Sequence, residues 1–262
     1  MRASLLPPRG DGAHLRVPAR PGLAMIEALR GGFAAHADPA RAVPMQAYMK
    51  SALPFYGIAA PLRRKLTVAA ATAHPAPDTG ALASAMLMLW REARYREERY
   101  AAVELPRSGR AHRKLLSLEL LPVVEQMITG GAWWDYCDDI SGNTLATLLA
   151  RHPQEMKPLL RRWARGGDIW LRRAAMLCQR GLGPEMFDAR LLYDTILPSI
   201  GQGQFADQFF IRKGIGWALR ERSYAAPDEV VAFCQEYASQ LSPLTRREAM
   251  KVITRRAAKR AA

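Results

Sequence analysis

The segment WLRRAA at residues 170–175 recurs forty positions later as FIRKGI at residues 210–215, with aromatic, aliphatic, basic, basic and small residues in the same order. LTRREA at residues 244–249 echoes both segments, and LRRK at residues 62–65 is a weaker copy. Apolar residues recur at spacings of three and four from Leu23 onward, which indicates helices. A forty-residue repeat made of helix pairs predicts an all-α, HEAT-like or armadillo-type solenoid.

Short segments with proline or glycine divide this pattern into predicted helices. No stretch keeps the alternation of apolar and polar residues that is typical of a strand. We predict one repeat domain over residues 22–258, between a flexible, basic, proline- and arginine-rich tail at residues 1–21 and a short tail at residues 259–262. The predicted helices lie near residues 23–36, 40–51, 60–73, 78–92, 94–105, 112–129, 133–150, 154–165, 169–181, 185–198, 207–222, 227–239 and 243–258.

The charge balance points to a polyanionic partner. Lysine and arginine number 38 against 24 acidic residues, giving a formal net charge of +14. Nucleic acid is favoured over a membrane surface or an acidic protein, because basic side chains that neutralise phosphates release counterions. Paired basic residues near repeated helix starts would line a positively charged concave face, although each pair alone could be a solvated helix start.

Several classes of protein are disfavoured by composition. No apolar run approaches the ~20 residues of a membrane span, so a soluble chain is expected. Cys137, Cys178 and Cys234 are an odd, widely spaced set, which predicts reduced thiols in a cytoplasmic protein. The five histidines lack the spacing of a helical metal site. We therefore expect no metal and no cofactor, and a monomer is the default for a capped solenoid.

WWDYCD at residues 133–138 is the candidate catalytic motif. Trp134 and Asp138 are four residues apart, so a helix would place the indole and the carboxylate on one face. The face of an indole attracts positive charge, and a carboxylate stabilises positive charge by Coulomb attraction. The pair is suited to a cationic substrate or transition state.

In these features the sequence resembles DNA alkylation repair enzymes of the AlkD type. These are HEAT-like-repeat glycosylases that remove N3- and N7-alkylated purines. The resemblance spans about residues 42–256 and depends on the order and spacing of several blocks rather than on any one of them. The blocks are residues 48–50, 54–58, 61–64, 133–138, 170–174, 209–221 and 241–249.

The resemblance implies a catalytic carboxylate at Asp138 beside the Trp134 indole, with a second indole at Trp217. It also implies that Tyr48 contacts DNA and that Arg173 holds a flanking phosphate. The neighbouring Arg172 is an alternative for Arg173 in this role. Further contacts to the DNA backbone are expected from Lys50, Arg63, Arg64, Lys213 and Arg247.

Other residues near the motif are interpreted as structural. Asp135 and Asp139 do not share the Trp134 face at a spacing of four, and Trp133 is expected in the core. Gly214 would cost a helix up to about 1 kcal/mol, which a close helix contact would justify. Packing between helices is expected for Trp90, Trp163 and Trp170.

The implied reaction is hydrolysis of the N-glycosidic bond of an alkylated purine in duplex DNA. An alkylated purine is already cationic and leaves without a general acid, whereas a carboxylate can stabilise the sugar cation and guide water. We expect a monofunctional DNA glycosylase of base excision repair, associated with the nucleoid. A non-catalytic protein that binds branched or damaged DNA is the alternative, and a solenoid for an acidic protein is a third. Whether the base is flipped is left open.

Overall fold

The computed structural model describes the backbone of residues 22–261 and the side chains of residues 22–259. Over these residues the chain is an all-α helical repeat without strands. The predicted tail at residues 1–21 lies outside the described residues. No described helix combines the length and the apolarity that a bilayer crossing needs.

Fifteen α-helices are formed by the described residues. They are α1 (Leu23–Ala35), α2 (Pro39–Met49), α3 (Ala60–Ala73), α4 (Thr79–Arg91), α5 (Arg96–Glu104), α6 (Gly109–Leu115), α7 (Leu121–Gly131), α8 (Trp134–Ile140), α9 (Ala146–Arg151), α10 (Pro153–Arg165), α11 (Ile169–Leu177), α12 (Ala189–Ile196), α13 (Phe209–Arg222), α14 (Pro227–Glu236) and α15 (Pro243–Ala261).

Three predicted helices are not continuous. The one expected at residues 185–198 is a 3₁₀ turn, Pro184–Met186, followed by α12. The helix expected at residues 112–129 is divided into α6 and α7 by a 3₁₀ turn at Leu118–Leu120. A continuous helix would need an amide N–H at Pro122 to bond the carbonyl of Leu118, and proline has none. The helix expected at residues 133–150 contains a π-helical turn, Ser141–Leu145, between α8 and α9.

Aspartate side chains fix the starts of several helices. Each accepts a hydrogen bond from a backbone N–H in the first turn of its own helix, which satisfies a donor that has no partner within the helix. The start of α11 is fixed in this way by two bonds of 2.8 Å to the Asp168 carboxylate. The aspartates at the starts of α2, α4, α11 and α12 are Asp38, Asp78, Asp168 and Asp188.

Buried Glu97 holds the segment between α2 and α3. Its carboxylate accepts the backbone N–H groups of Tyr56, Gly57 and Ile58 at 3.0, 2.9 and 3.2 Å. These donors lie outside any helix, so the carboxylate replaces the partners that a helix would supply. The segment lies in the connection from α2, the helix that contains Tyr48, to α3, so Glu97 helps to fix how these two helices are joined.

Glycines allow α13 to approach its neighbours closely. A Cβ atom at Gly216 would lie 2.6 Å from Cβ of Glu248 on α15, a distance that packed side chains do not tolerate. A Cβ atom at Gly214 would lie 3.1 Å from Nη1 of Arg173 and 3.2 Å from the sulfur of Met176. The close helix contact expected at Gly214 is therefore present.

Candidate active site

A cleft between α8, α11 and α13 contains the three residues predicted to be catalytic. It consists of two adjoining depressions of about 310 and 360 Å³, at the small end of the range for ligand sites. Both are lined by Trp134, Asp138 and Trp217. The aromatic depression is completed by Tyr48, Arg173, Phe209, Phe210 and Lys213, and the polar depression by Arg64, Asp135, Asp139, Gly142, Asn143, Arg180 and Gly181.

Asp138 forms a bidentate ion pair with Arg173. The Arg173 Nε atom donates to Oδ1 at 2.7 Å, and its Nη2 atom donates to Oδ2 at 2.8 Å. Only 9% of Asp138 and 3% of Arg173 is exposed. The third nitrogen of Arg173, Nη1, donates to the backbone carbonyl of Phe210 at 2.5 Å.

This pairing gives Arg173 a structural role besides the contact to a flanking phosphate, which stays a prediction. Three of the five N–H donors of its guanidinium are used within the protein, two by Asp138 and one by the Phe210 carbonyl. Two parallel hydrogen bonds from a planar guanidinium fix the orientation of a carboxylate. Arg173 therefore positions Asp138 in the cleft, and the space for this guanidinium is left by Gly214.

Two opposing effects act on the ionisation of Asp138. Burial raises the pKa of its carboxyl group, and the hydrogen bonds and charge of Arg173 act in the opposite direction. The charge of Arg180 also lowers this pKa, and the net shift is upward. A raised pKa makes the carboxylate a stronger base than an ordinary aspartate, while the bidentate pair favours its ionised form.

Arg172 and Arg63 do not have the placement predicted for DNA contacts. Arg172 is buried and donates to the Gly166 carbonyl at 2.6 Å and to the Gln204 amide oxygen at 2.5 Å, away from Asp138. Arg63 is buried against Glu104, with its Nη2 atom 2.6 Å from Oε1. Both guanidinium groups hold the protein together, so the expected DNA contacts are corrected for these two residues.

The other predicted DNA contacts have accessible side chains. Tyr48 is 76% exposed at the edge of the aromatic depression, and Arg64 is exposed beside the polar depression. Lys213 lines the aromatic depression, and its Nζ atom lies 2.6 Å from Oε1 of Glu248. The remaining two, Lys50 and Arg247, are exposed.

The residues interpreted as structural have structural contacts. The Trp133 ring packs on those of Trp170 and Phe210, with centroids 6.4 and 5.5 Å away. Asp135 pairs with Arg96 at 2.9 Å. Asp139 pairs with Arg107 at 2.6 Å. The indoles of Trp90, Trp163 and Trp170 are buried.

Several cleft residues were not predicted from the sequence, among them Phe209 and Arg180. Phe209, 59% exposed, lines the same depression as Tyr48, and the adjacent phenylalanines at residues 209 and 210 were the only available signal. Arg180 lies in the 3₁₀ turn Cys178–Gly181, and its guanidinium carbon is 3.6 Å from the centre of the Trp217 ring system. Its spacing of seven residues from Arg173, two helical turns, could have indicated a shared face.

The described residues contain no group of three or more histidine, cysteine, aspartate or glutamate side chains placed to hold a metal ion. The cleft lining contains the buried carboxylate of Asp138, two further carboxylates that pair with arginines, two indoles, the Tyr48 phenol, the Lys213 amine and several guanidinium groups.

Most of the chain is similar to known proteins in sequence and in fold. The family model described as DNA alkylation repair enzyme matches residues 29–253. A solved structure described as "Predicted DNA alkylation repair enzyme from Enterococcus faecalis" is similar, with 29% sequence identity and a TM-score of 0.69. That match covers 82% of this chain and 95% of the other chain. Among curated proteins, no sequence matches significantly.

Proposed function

The chain belongs to the DNA alkylation repair enzyme family, and we propose that it is a DNA glycosylase that removes cationic N3- or N7-alkylated purines from duplex DNA. The observation that carries the proposal is the buried Asp138 carboxylate in a cleft that Trp134 and Trp217 also line. This combination provides negative charge and polarisable ring faces where a positively charged nucleotide would bind.

Asp138 would act on the sugar and on water. As the N-glycosidic bond breaks, the bonding electrons leave with the cationic base, which becomes neutral, and positive charge develops at the anomeric carbon. A carboxylate stabilises that charge and accepts a proton from the attacking water. Each oxygen of Asp138 accepts one hydrogen bond from Arg173, which leaves further lone pairs for these tasks.

The indoles and the basic surface would bind the substrate. Trp134 and Trp217 would pack against the lesion nucleotide and exclude water from the developing cation. Tyr48 and the exposed cation Arg64 lie at the edges of the same cleft, where the DNA backbone would pass. The formal charge of +14 supports this partner, because phosphate contacts supply affinity that does not depend on sequence.

Base release is the first test of this proposal. Incubation with methylated duplex DNA is expected to release free N3- or N7-methylpurines, and undamaged DNA should release none. The strand should break only after alkaline treatment, since the mechanism uses no amine nucleophile. Chromatography of the released bases and gel analysis of the strands measure both results. Salt-dependent duplex binding without base release would contradict the glycosylase proposal.

That last outcome defines the second candidate function, a non-catalytic protein that binds damaged or branched DNA. The ion pair between Asp138 and Arg173 favours it to some extent, because a paired carboxylate presents less negative charge to a substrate. Measured affinity for branched or lesion-containing duplexes above that for intact duplexes, with no base release, would support this alternative.

The pH dependence of the rate should report on Asp138. The reaction needs the carboxylate form, so the rate should fall as pH falls through the pKa of this residue. Because burial raises that pKa, the fall should begin at a higher pH than an ordinary aspartate would give. Single-turnover rates at saturating enzyme, corrected for spontaneous base loss, measure this fall in rate with pH. A rate that stays level down to the ordinary aspartate range would contradict the assignment.

A further inference from the structure

Arg180 is held in an unusual way for a half-buried cation. Its guanidinium carbon lies 3.6 Å from the centre of the Trp217 ring system, so an aromatic face rather than a carboxylate is its closest charge-stabilising partner. Its Nε and Nη1 atoms are shielded from solvent and have no hydrogen-bond partner among the described residues. Donors left without acceptors are costly in a protein interior, so the guanidinium is poorly satisfied by the protein itself. Arg180 also lines the polar depression, where a bound ligand can offer an acceptor to the part of the guanidinium that is not shielded.

The neighbouring carboxylates already accept hydrogen bonds from other donors. Asp138 and Glu221 both attract Arg180 electrostatically. The Asp138 oxygens accept from Arg173, however, and Glu221 accepts from the Trp217 indole N–H at 3.1 Å. Within the described part of the chain, Arg180 forms no ion pair of its own. The cleft therefore contains one cation whose charge is incompletely compensated, next to the carboxylate assigned to catalysis.

An uncompensated cation at this position would oppose the proposed reaction. Positive charge on the sugar would develop near a second positive charge, and their repulsion would offset part of the stabilisation from Asp138. An anion bound to Arg180 removes this conflict. The cationic base cannot be that ligand, because a guanidinium repels it. The anionic groups of DNA are its phosphodiesters, which guanidinium groups bind through charge-assisted hydrogen bonds.

We propose that Arg180 binds a phosphodiester next to the lesion nucleotide and thereby makes base removal depend on the charge of that phosphate. This inference rests on the proposed glycosylase function. Arg180 lines the polar depression together with Asp138 and Trp217, so the bound phosphate would lie beside the nucleotide that these residues contact. Stacking on Trp217 holds the guanidinium plane in place before the DNA arrives. Arg180 would thus supply a phosphate contact besides the one that the resemblance implies for Arg173.

The test combines a change in the protein with a change in the substrate. Duplexes carry one N7-methylguanine, and a neutral methylphosphonate replaces one phosphate at a time on either side of it. Wild type, Arg180→Met and Arg180→Lys are compared under single-turnover conditions. Arg162→Met is the matched control, because Arg162 is exposed on α10, which lines neither depression.

The effect of the methylphosphonate is expected to depend on whether Arg180 is present. One methylphosphonate position should slow wild type and Arg162→Met by about tenfold to a hundredfold, the effect of one charge-assisted hydrogen bond. Arg180→Met should be slow on the normal duplex by a similar factor and insensitive to that position, and Arg180→Lys should lie between. Equal penalties in wild type and Arg180→Met at every position would overturn the proposal.

Measurements of stability and binding distinguish a phosphate-binding Arg180 from one that only packs. Removing a guanidinium with unpaired donors should leave the melting temperature unchanged or higher, whereas a packing role predicts a clear fall together with uniform methylphosphonate penalties. If wild type releases no base at all, the glycosylase proposal fails. Affinity for the same methylphosphonate series with an abasic analogue at the lesion then tests the phosphate site alone. The proposal stands if the coupling appears in binding and fails if it does not.

Discussion

Asp138→Asn is expected to slow release of N7-methylguanine from duplex DNA by about 10²–10³-fold, the usual cost of removing one group that stabilises transition-state charge. The amide keeps the size of the carboxylate but carries no charge and cannot accept the proton of the attacking water. Duplex affinity should persist, because Asp138 makes no contact that binds the phosphate backbone. Single-turnover kinetics and a separate binding titration measure the two effects.

The ion pair complicates this variant in a way that can be controlled. Loss of the Asp138 charge leaves Arg173 buried without its anion, and breaking one side of a buried pair costs about 3–5 kcal/mol. The double variant Asp138→Asn/Arg173→Gln removes both charges and should recover much of that stability. It should not recover the rate. A double variant with the wild-type rate would show that the carboxylate has no part in the chemistry.

Glu97→Ala is expected to lower the free energy of unfolding by about 3–5 kcal/mol. Three buried backbone N–H groups lose their acceptor, and each unsatisfied donor costs about 1–3 kcal/mol before the structure relaxes. Glu97→Gln retains one side-chain oxygen and should lose less. Urea unfolding measures the series, with the exposed Glu27→Ala as the matched control. If Glu97→Ala and Glu27→Ala are equally stable, the carboxylate does not hold the segment.

The helices were largely predictable because their apolar spacing is local information. The information for the break between α6 and α7 is local as well, since Pro122 lacks the N–H that a continuous helix requires. The π-helical turn Ser141–Leu145 was not predictable in this way. Nothing in the apolar pattern distinguishes one extra residue in a turn from ordinary helix, and the insertion depends on what the two flanking helices pack against.

From spacing alone the site was predictable only where its residues share one helix, whereas Trp217 and Tyr48, on other helices, came from the family resemblance. Trp134 and Asp138 belong to α8, so their spacing sufficed. The ion pair from Asp138 to Arg173 joins residues 35 positions apart, and no local pattern specifies it. The side chains of Arg172 and Arg173 leave α11 in directions about 100° apart. Arg173 therefore lies in the cleft wall, and Arg172 points away from the cleft. The sequence could not decide between them because both are basic.

Net charge was informative about the partner but not about individual residues. Arg63, Arg172 and Arg173 count fully toward the total, yet each is buried in internal hydrogen bonds. Arg180 is the opposite case, a cation close to the carboxylate that we propose to be catalytic, with two nitrogens that have no hydrogen-bond partner among the described residues. Composition treats these arginines alike, and only their partners in three dimensions separate a structural guanidinium from one available to DNA.

The most direct test is the single-turnover rate of N7-methylguanine release from a duplex with one lesion, measured for wild type and for Asp138→Asn/Arg173→Gln at matched folded fraction and saturating enzyme. We predict release by wild type well above the spontaneous rate, and release at least about 10²-fold slower by the variant. Equal rates for the two proteins, or no release by wild type from a duplex that it binds, would contradict carboxylate-assisted base excision in this cleft.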